Sequence, residues 1–399
     1  MTIRAATGAR PNAAFFRIVS GRGALQALYQ ALVLGAIGGV LFYLVSNTLD
    51  NLSSRSIATG FDFIGREAGF PIAEHVIDYA PTSSYGRAYL VGILNTLLVS
   101  AIGIVLATVL GVLIGVARLS SNWLIARLAG GYVELLRNTP LILLLVLWYG
   151  LFLSLPPPRQ AITSLDGDLL VSNRGLNFAL PAFEATHGWA LILVALGILG
   201  WIALARFARR RRAETGKGFP VVFPGLALAF LPGLALFLIA GAPVTLERPE
   251  LQGFNITGGG RLGAEFLVLV FGLSTYTAAY IAEVVRAGIL AVPRGQSEAA
   301  LALGLGRGHA LRLVLLPQAL RLIVPPTTNQ YLNLAKNSSL AVGIGYQELV
   351  SIGNTTINQT GQAIEGVLMI MAVYLTISLT ISTAMNWYNR AIALRGTRR

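Results

Sequence analysis

Glu298, Ala299 and Ala300 stand together in this chain, followed after three residues by Gly304 and after nine more by Val314-Leu315-Leu316-Pro317. The alanines, with Ala302, let another surface approach closely. Gly304 permits a backbone conformation strained for other residues, and Pro317 resets the chain before a further helix. The spacing predicts a helix, a sharp turn and a second helix, a shape suited to seating in a partner's groove rather than to making or breaking bonds. A second set of residues stands out by its setting. Asn95, Glu283, Arg286, Lys336, Asn337 and Ser338 interrupt apolar stretches, where ionisable and amide groups are costly and mark pathways. Lys336 is one of two lysines, with Lys217 the other, and its compact ammonium could meet a carboxylate. Glu283 and Arg286 lie three apart on one helical face and admit two readings: they neutralise each other, or they line a path. Ser338, with Ser339, either lines that path or bonds to helix carbonyls one turn back.

Other chemistries find no support. The Gly-x-x-x-x-Gly-Lys-Ser/Thr pattern of a phosphate-binding loop is absent: Arg211 stands where the first Gly should precede Lys217, and Lys336 is followed by Asn337. His75, His187 and His309 have no metal-ligand spacing, the serines form no hydrolase elbow, and zero cysteines exclude disulfides, thiolate metal sites and Cys nucleophiles. No cofactor is expected on the chain, and no metal.

The elements that must position these groups are membrane helices. Of 399 residues 55% are hydrophobic and 12% charged, and the mean hydropathy is +0.68, too apolar for a soluble surface. Charge-free runs long enough to cross a bilayer place spans near 24–48, 88–117, 139–156, 188–206, 219–241, 263–286, 318–336 and 363–388, an all-α polytopic bundle of about eight crossings. Pro156, Pro157 and Pro158 mark an abrupt helix exit. Pro220, Pro224, Pro232 and Pro243 predict a kink in the fifth span, and Pro325 and Pro326 a broken helix before Lys336. The net charge of +13 is explained by position rather than by nucleic acid. With the N-terminus inside, Arg4, Arg10, Arg17, Arg22, Arg118, Arg127, Arg137, Arg206, Arg209 to Arg212, Lys217, Arg286, Arg294, Arg307, Arg312, Arg321, Arg390, Arg395, Arg398 and Arg399 fall on the inner side, as the positive-inside rule requires. Both termini are then cytoplasmic, and Arg206 to Gly218 reads as an inward basic loop touching anionic lipid.

The Glu298 to Pro317 segment resembles the EAA loop of binding-protein-dependent ABC importer permeases, with Val314 in place of the usual isoleucine. Further stretches are similar to the polar, general L-amino-acid branch of that family: Gly92-Ile93-Leu94-Asn95-Thr96-Leu97, Tyr132 to Leu141, Tyr280 to Gly288, and Lys336-Asn337-Ser338-Ser339-Leu340. The resemblance implies a type I-like permease core in the bacterial inner membrane, carrying amino acids. It implies that Glu298, Ala299, Ala300, Gly304, Leu316 and Pro317 couple to a dimer of ATP-binding subunits, where ATP and Mg reside. It also implies a second permease subunit, related but different, and a periplasmic amino-acid-binding protein. The chain then divides into 1–87 (cytoplasmic segment, first span and outer loop), 88–155 (first part of the core), 156–262 (inserted loops and two extra spans) and 263–399 (second part of the core, with the coupling loop 291–317). The insert departs from shorter members of the family.

Two other classes compete. An ion-coupled secondary transporter would need only the intramembrane charges, and a membrane scaffold or intramembrane enzyme would use the basic segment as a docking site. Copurification with an ATP-binding subunit separates the first reading from both.

Overall fold

The computed structural model describes residues 21–54, 59–182, 184–216, 219–241 and 245–392. Arg4, Arg10, Arg17, Lys217, Pro243, Arg395, Arg398 and Arg399, on which part of the charge and proline reading rests, lie outside the described residues.

Twelve helices carry the described chain: α1 (Gly21–Ser54), α2 (Tyr85–Ala117), α3 (Trp123–Asn138), α4 (Leu141–Leu153), α5 (Ala185–Thr215), α6 (Val222–Ile239), α7 (Ala264–Leu290), α8 (Arg294–Ala302), α9 (Arg307–Ala310), α10 (Leu316–Asn337), α11 (Leu349–Thr360) and α12 (Ala363–Ile392). Six are long and apolar enough to cross a membrane, namely α1, α2, α5, α6, α7 and α12, and the α3–α4 pair, bent by 106° at its break, makes up to seven. The bend falls at Thr139-Pro140, where Pro140 disfavours a helical conformation for the residue before it. The expected span 318–336 exists as α10, yet its polar residues keep it below the hydropathy of a lipid-facing helix. Against the expected count of about eight, the described residues give six apolar crossings, or seven with the bent pair, beside the more polar α10.

α7 is the centre of the bundle. Leu269, Leu273 and Ile281 on it are fully buried and pack with Val99 of α2, Leu145 of α4 and Leu334 of α10. α2 carries small buried residues at helical spacing, of which Gly111 and Gly115 meet α7 and Gly103 meets Leu334 of α10. A Cβ at Gly111 would stand 2.6 Å from Ile281 Cβ, and one at Gly115 would stand 2.8 Å from the Ala282 carbonyl oxygen. In lipid, where apolar surface alone gives no preference for protein over solvent, such close packing is what associates helices. Gly111→Leu is therefore expected to cost about 1–3 kcal/mol or more by overpacking. It should lower the thermal midpoint of the purified protein, whereas Gly35→Leu on α1, with nothing within 4 Å, should leave it unchanged.

The helical bundle is as expected, and three details add to or correct the reading. First, the 156–262 region and its junction with α7 also hold a four-stranded antiparallel sheet in the order β1-β2-β3-β8 (Ile162–Ser164, Leu169–Ser172, Gly175–Phe178, Gly260–Gly263), a short pair of β4 (Leu180–Pro181) with β5 (Leu246–Glu247) that closes across α5 and α6, and a hairpin of β6 (Glu250–Gln252) with β7 (Asn255–Thr257). The β3–β8 register, Gly175↔Gly263 through Phe178↔Gly260, ties the two ends of the segment together at the start of α7. Second, Arg206 to Arg212 are not in a loop. They extend α5, because Arg and Ala are strong helix formers, and the helix stops at Gly216, whose φ of +70° suits glycine. Third, α10 runs unbroken through Pro325 and Pro326. The two missing N–H groups are tolerated within the bundle, while the Thr327 and Thr328 hydroxyls donate to the Ile323 and Val324 carbonyls at 2.8 and 3.0 Å. The break comes later, at a 3-10 turn over Ser338–Ile344. Pro232 likewise lies inside α6 with the helix continuing through it.

Candidate coupling knob and intramembrane path

The coupling segment forms as its spacing predicts. α8 carries Glu298 and Ala299 exposed and Ala300 buried. Its end is a Schellman closure: Leu305 N–H donates to the Ala300 carbonyl at 3.2 Å and Gly304 N–H to the Leu301 carbonyl at 2.9 Å, with Gly304 at φ +78°. The chain re-enters α9, passes a π turn at Leu311–Leu315 and continues into α10, with Leu316 and Pro317 in its first turn. Gln318 Nε2 donates to Gln296 Oε1 at 3.1 Å and braces α8 against α10. Around this knob Leu301, Leu303, Leu311 and Leu313 are exposed, Leu303 at 82%. Glu298 has no ion-pair partner among the described residues.

The intramembrane residues separate into three places. On α7, Tyr276, Tyr280 and Glu283 share one face at four- and three-residue spacing. Together with Thr277 and with Gln330, Asn333 and Asn337 of α10, the two tyrosines line a cavity of about 230 Å³. Tyr276 and Tyr280 hydroxyls are 3.0 Å apart, and the Arg137 guanidinium lies over the Tyr280 ring at 5.4 Å. Just beyond, Glu283 accepts from Arg286 at 2.7 Å and from Arg118, and Arg137 stands 3.9 Å away. Three arginines from α7, the end of α2 and the end of α3 thus converge on one carboxylate, a larger cluster than the single Glu283–Arg286 pair.

Lys336 belongs to a stripe. Asn329, Asn333 and Lys336 are exposed on α10 at spacings of four and three residues, so the second half of one face of this membrane helix is polar and unmatched to lipid. Asn95 and Ser338 sit elsewhere. Asn95 is buried, and its amide donates to the Glu74 and Gln347 carbonyls at 2.8 and 2.9 Å, clamping the loop before α2 to the segment before α11. Ser338 is buried, donates to the Ala335 carbonyl at 2.7 Å and lies 3.3 Å from the Tyr374 hydroxyl, the geometry of back-bonding to its own helix. Sequence reasoning missed Tyr276, Tyr280, Gln330 and Asn333. The signal for the last two was present in the polar spacing that runs from Asn329 to Asn337.

A helical membrane bundle with a polar internal cavity, and with an exposed knob braced to one of that cavity's helices, defines a transport subunit driven from outside the chain. The family described as "Binding-protein-dependent transport system inner membrane component" matches residues 217–395. The general L-amino acid transport system permease protein AapQ of Rhizobium johnstonii is 47% identical over 92% of this chain and 92% of its own length. The putative amino-acid ABC transporter permease protein YhdX of Escherichia coli is 48% identical over 92% of this chain and 94% of its own. The glutamate/glutamine/aspartate/asparagine transport system permease protein BztB of Rhodobacter capsulatus is 41% identical over 89% and 90%. The chain belongs to the family of ABC importer permeases, inner-membrane components of binding-protein-dependent transport systems. It is therefore a membrane transport subunit and not an enzyme, and ATP hydrolysis belongs to a separate subunit.

Proposed function

We propose that this chain forms one half of the translocation path of an inner-membrane importer for L-amino acids, powered by ATP bound with Mg on a dimer of ATP-binding subunits. The observation that carries the reading is the polar stripe of α10, Asn329, Asn333 and Lys336, continuous with the cavity at Tyr276, Tyr280 and Asn337. A membrane helix keeps such a face only against water or another protein. A second permease subunit opposite that face, related to this chain but different from it, would complete the path. A solute with both a carboxylate and an ammonium matches its lining: amides and tyrosine hydroxyls donate and accept, and Lys336 supplies a cation. The printed names of the relatives support amino acids as the cargo. In this reading a periplasmic amino-acid-binding protein delivers the solute, both termini are cytoplasmic, and the basic end of α5 meets anionic lipid headgroups. Nucleic acid has no part. The divisions 1–87, 88–155, 156–262 and 263–399 then correspond to a cytoplasmic segment with the first span and a periplasmic loop, the first part of the core, an insert with two extra spans, and the second part of the core with the coupling knob.

The test is uptake in vesicles containing the assembled importer. Asn333→Leu and Lys336→Leu are expected to lower the rate about tenfold or more, as the loss of one or two polar contacts would, while copurification of the ATP-binding subunit stays normal. Wild-type uptake at matched membrane levels would remove α10 from the path.

A further inference from the structure

A second cavity, this one with charged walls, lies at the opposite end of the bundle from the coupling knob, at the starts of α2 and α7. It measures about 250 Å³ and is lined by Glu74, His75, Asn95, Arg261, Phe266 and Tyr346. Three parts of the chain build it: the loop before α2, strand β8 of the insert, and the segment ahead of α11. Glu74 lines this cavity with its Oε1 turned in against the Gly263 backbone. It sits where only glycine lets it sit, since a Cβ on Gly263 would come within 1.8 Å of that oxygen. Arg261 is exposed on the same wall, held in register by its pairing with Asn177 of β3, and makes no ion pair with Glu74 among the described residues. The nearby Glu265 carboxylate is engaged, accepting from the Tyr149 hydroxyl at 3.0 Å.

We infer that this pocket is an entry subsite for a free amino-acid zwitterion, with the ammonium taken by Glu74 and the carboxylate by the Arg261 guanidinium. Glu74 is the carboxylate on the cavity wall, and an ammonium is its natural counter-charge. A guanidinium is the residue fork that matches a carboxylate. The two opposite charges stand apart in one cavity, so each end of a small dipolar solute has its own counter-charge. The cavity is smaller than the roughly 300–1,000 Å³ of drug-sized sites, as a single amino acid requires. Burial raises the Glu74 carboxyl above the usual range, ahead of the opposing effects of the Gly263 backbone and Arg261; a bound cation would reverse that. The insert then has a role that shorter chains lack: its sheet delivers Arg261. The choice of ligand rests on the amino-acid function proposed above.

The chain has no cysteine, so Val76→Cys on the rim, 57% exposed, places a single thiol beside the pocket. In the assembled importer without its binding protein, maleimide labelling of this chain, read by mass, is expected to slow about tenfold in millimolar L-glutamine or L-glutamate. Protection should vanish in Arg261→Gln and in Glu74→Gln, each removing one charge-assisted contact worth about a tenfold change in affinity. Arg261 is exposed, so its variant folds even if Glu74→Gln does not. If no proteinogenic L-amino acid slows labelling, or if protection survives Arg261→Gln, the subsite is refuted. Amino-acid uptake by the unmodified importer without protection rejects the pocket alone, whereas absence of that uptake rejects the amino-acid function itself.

Discussion

Glu298→Lys will disconnect transport from its engine. The carboxylate is exposed on α8 with no ion-pair partner among the described residues, and in the proposed coupling its counter-charge is supplied by the ATP-binding subunit. Charge reversal replaces attraction by repulsion at the tip of the knob. Loss of one partner of an interfacial charge pair costs roughly 2–5 kcal/mol, or about thirtyfold or more in affinity. The ATP-binding subunit should then copurify in much reduced yield and uptake should fall to background, while the permease itself inserts and melts normally. Gly304→Leu reaches the same end by another route. A leucine at φ +78° carries a strain of about 1–2 kcal/mol, and the Schellman closure that aims α8 away from α9 would open. Normal assembly and uptake in both variants would show that this segment does not couple.

Glu283→Gln will destabilise the bundle itself. It leaves Arg118, Arg137 and Arg286 facing one another without an anion, and the Arg286 Nε already lacks a partner. Removing one member of a buried ion cluster costs about 3–5 kcal/mol. Glu283 keeps 25% of its side-chain surface, so the expected loss is at the lower end of that range or below it. The thermal midpoint and the yield of extracted complex should both fall. Arg118→Gln in the same chain should recover part of the loss, a coupling that a double-mutant cycle measures directly. A Glu283→Gln protein that melts as wild type yet loses uptake would instead put the carboxylate on the solute's path.

What was legible in advance follows the range over which each signal acts. The coupling knob is local: Glu298, Gly304 and Pro317 determine a helix, a left-handed turn and a helix start within their own neighbourhood, and the structure forms all three. The apolar spans were legible because lipid imposes length and composition on each helix separately. The sheet was not, because strands of two to four residues carry no measurable alternation and β3 finds β8 only across the whole insert. Nor could Arg118 and Arg137 be assigned to Glu283, since they arrive from other helices. Helix α10 misled in a different way. Its prolines suggest a break, but the surrounding bundle tolerates the two missing N–H groups, and its polar residues form a stripe rather than standing alone.

That unbroken helix has a mechanical meaning. α10 begins at the π turn beside the knob and runs 22 residues, about 33 Å at 1.5 Å per residue, to end where Lys336 and Asn337 stand. With its knob end tied to α8 by the Gln296–Gln318 pair, a tilt of about 10° about that end would swing the far tip sideways by about 6 Å, the width of a small solute. In the proposed function, the length of a single rod would magnify a small displacement of the knob.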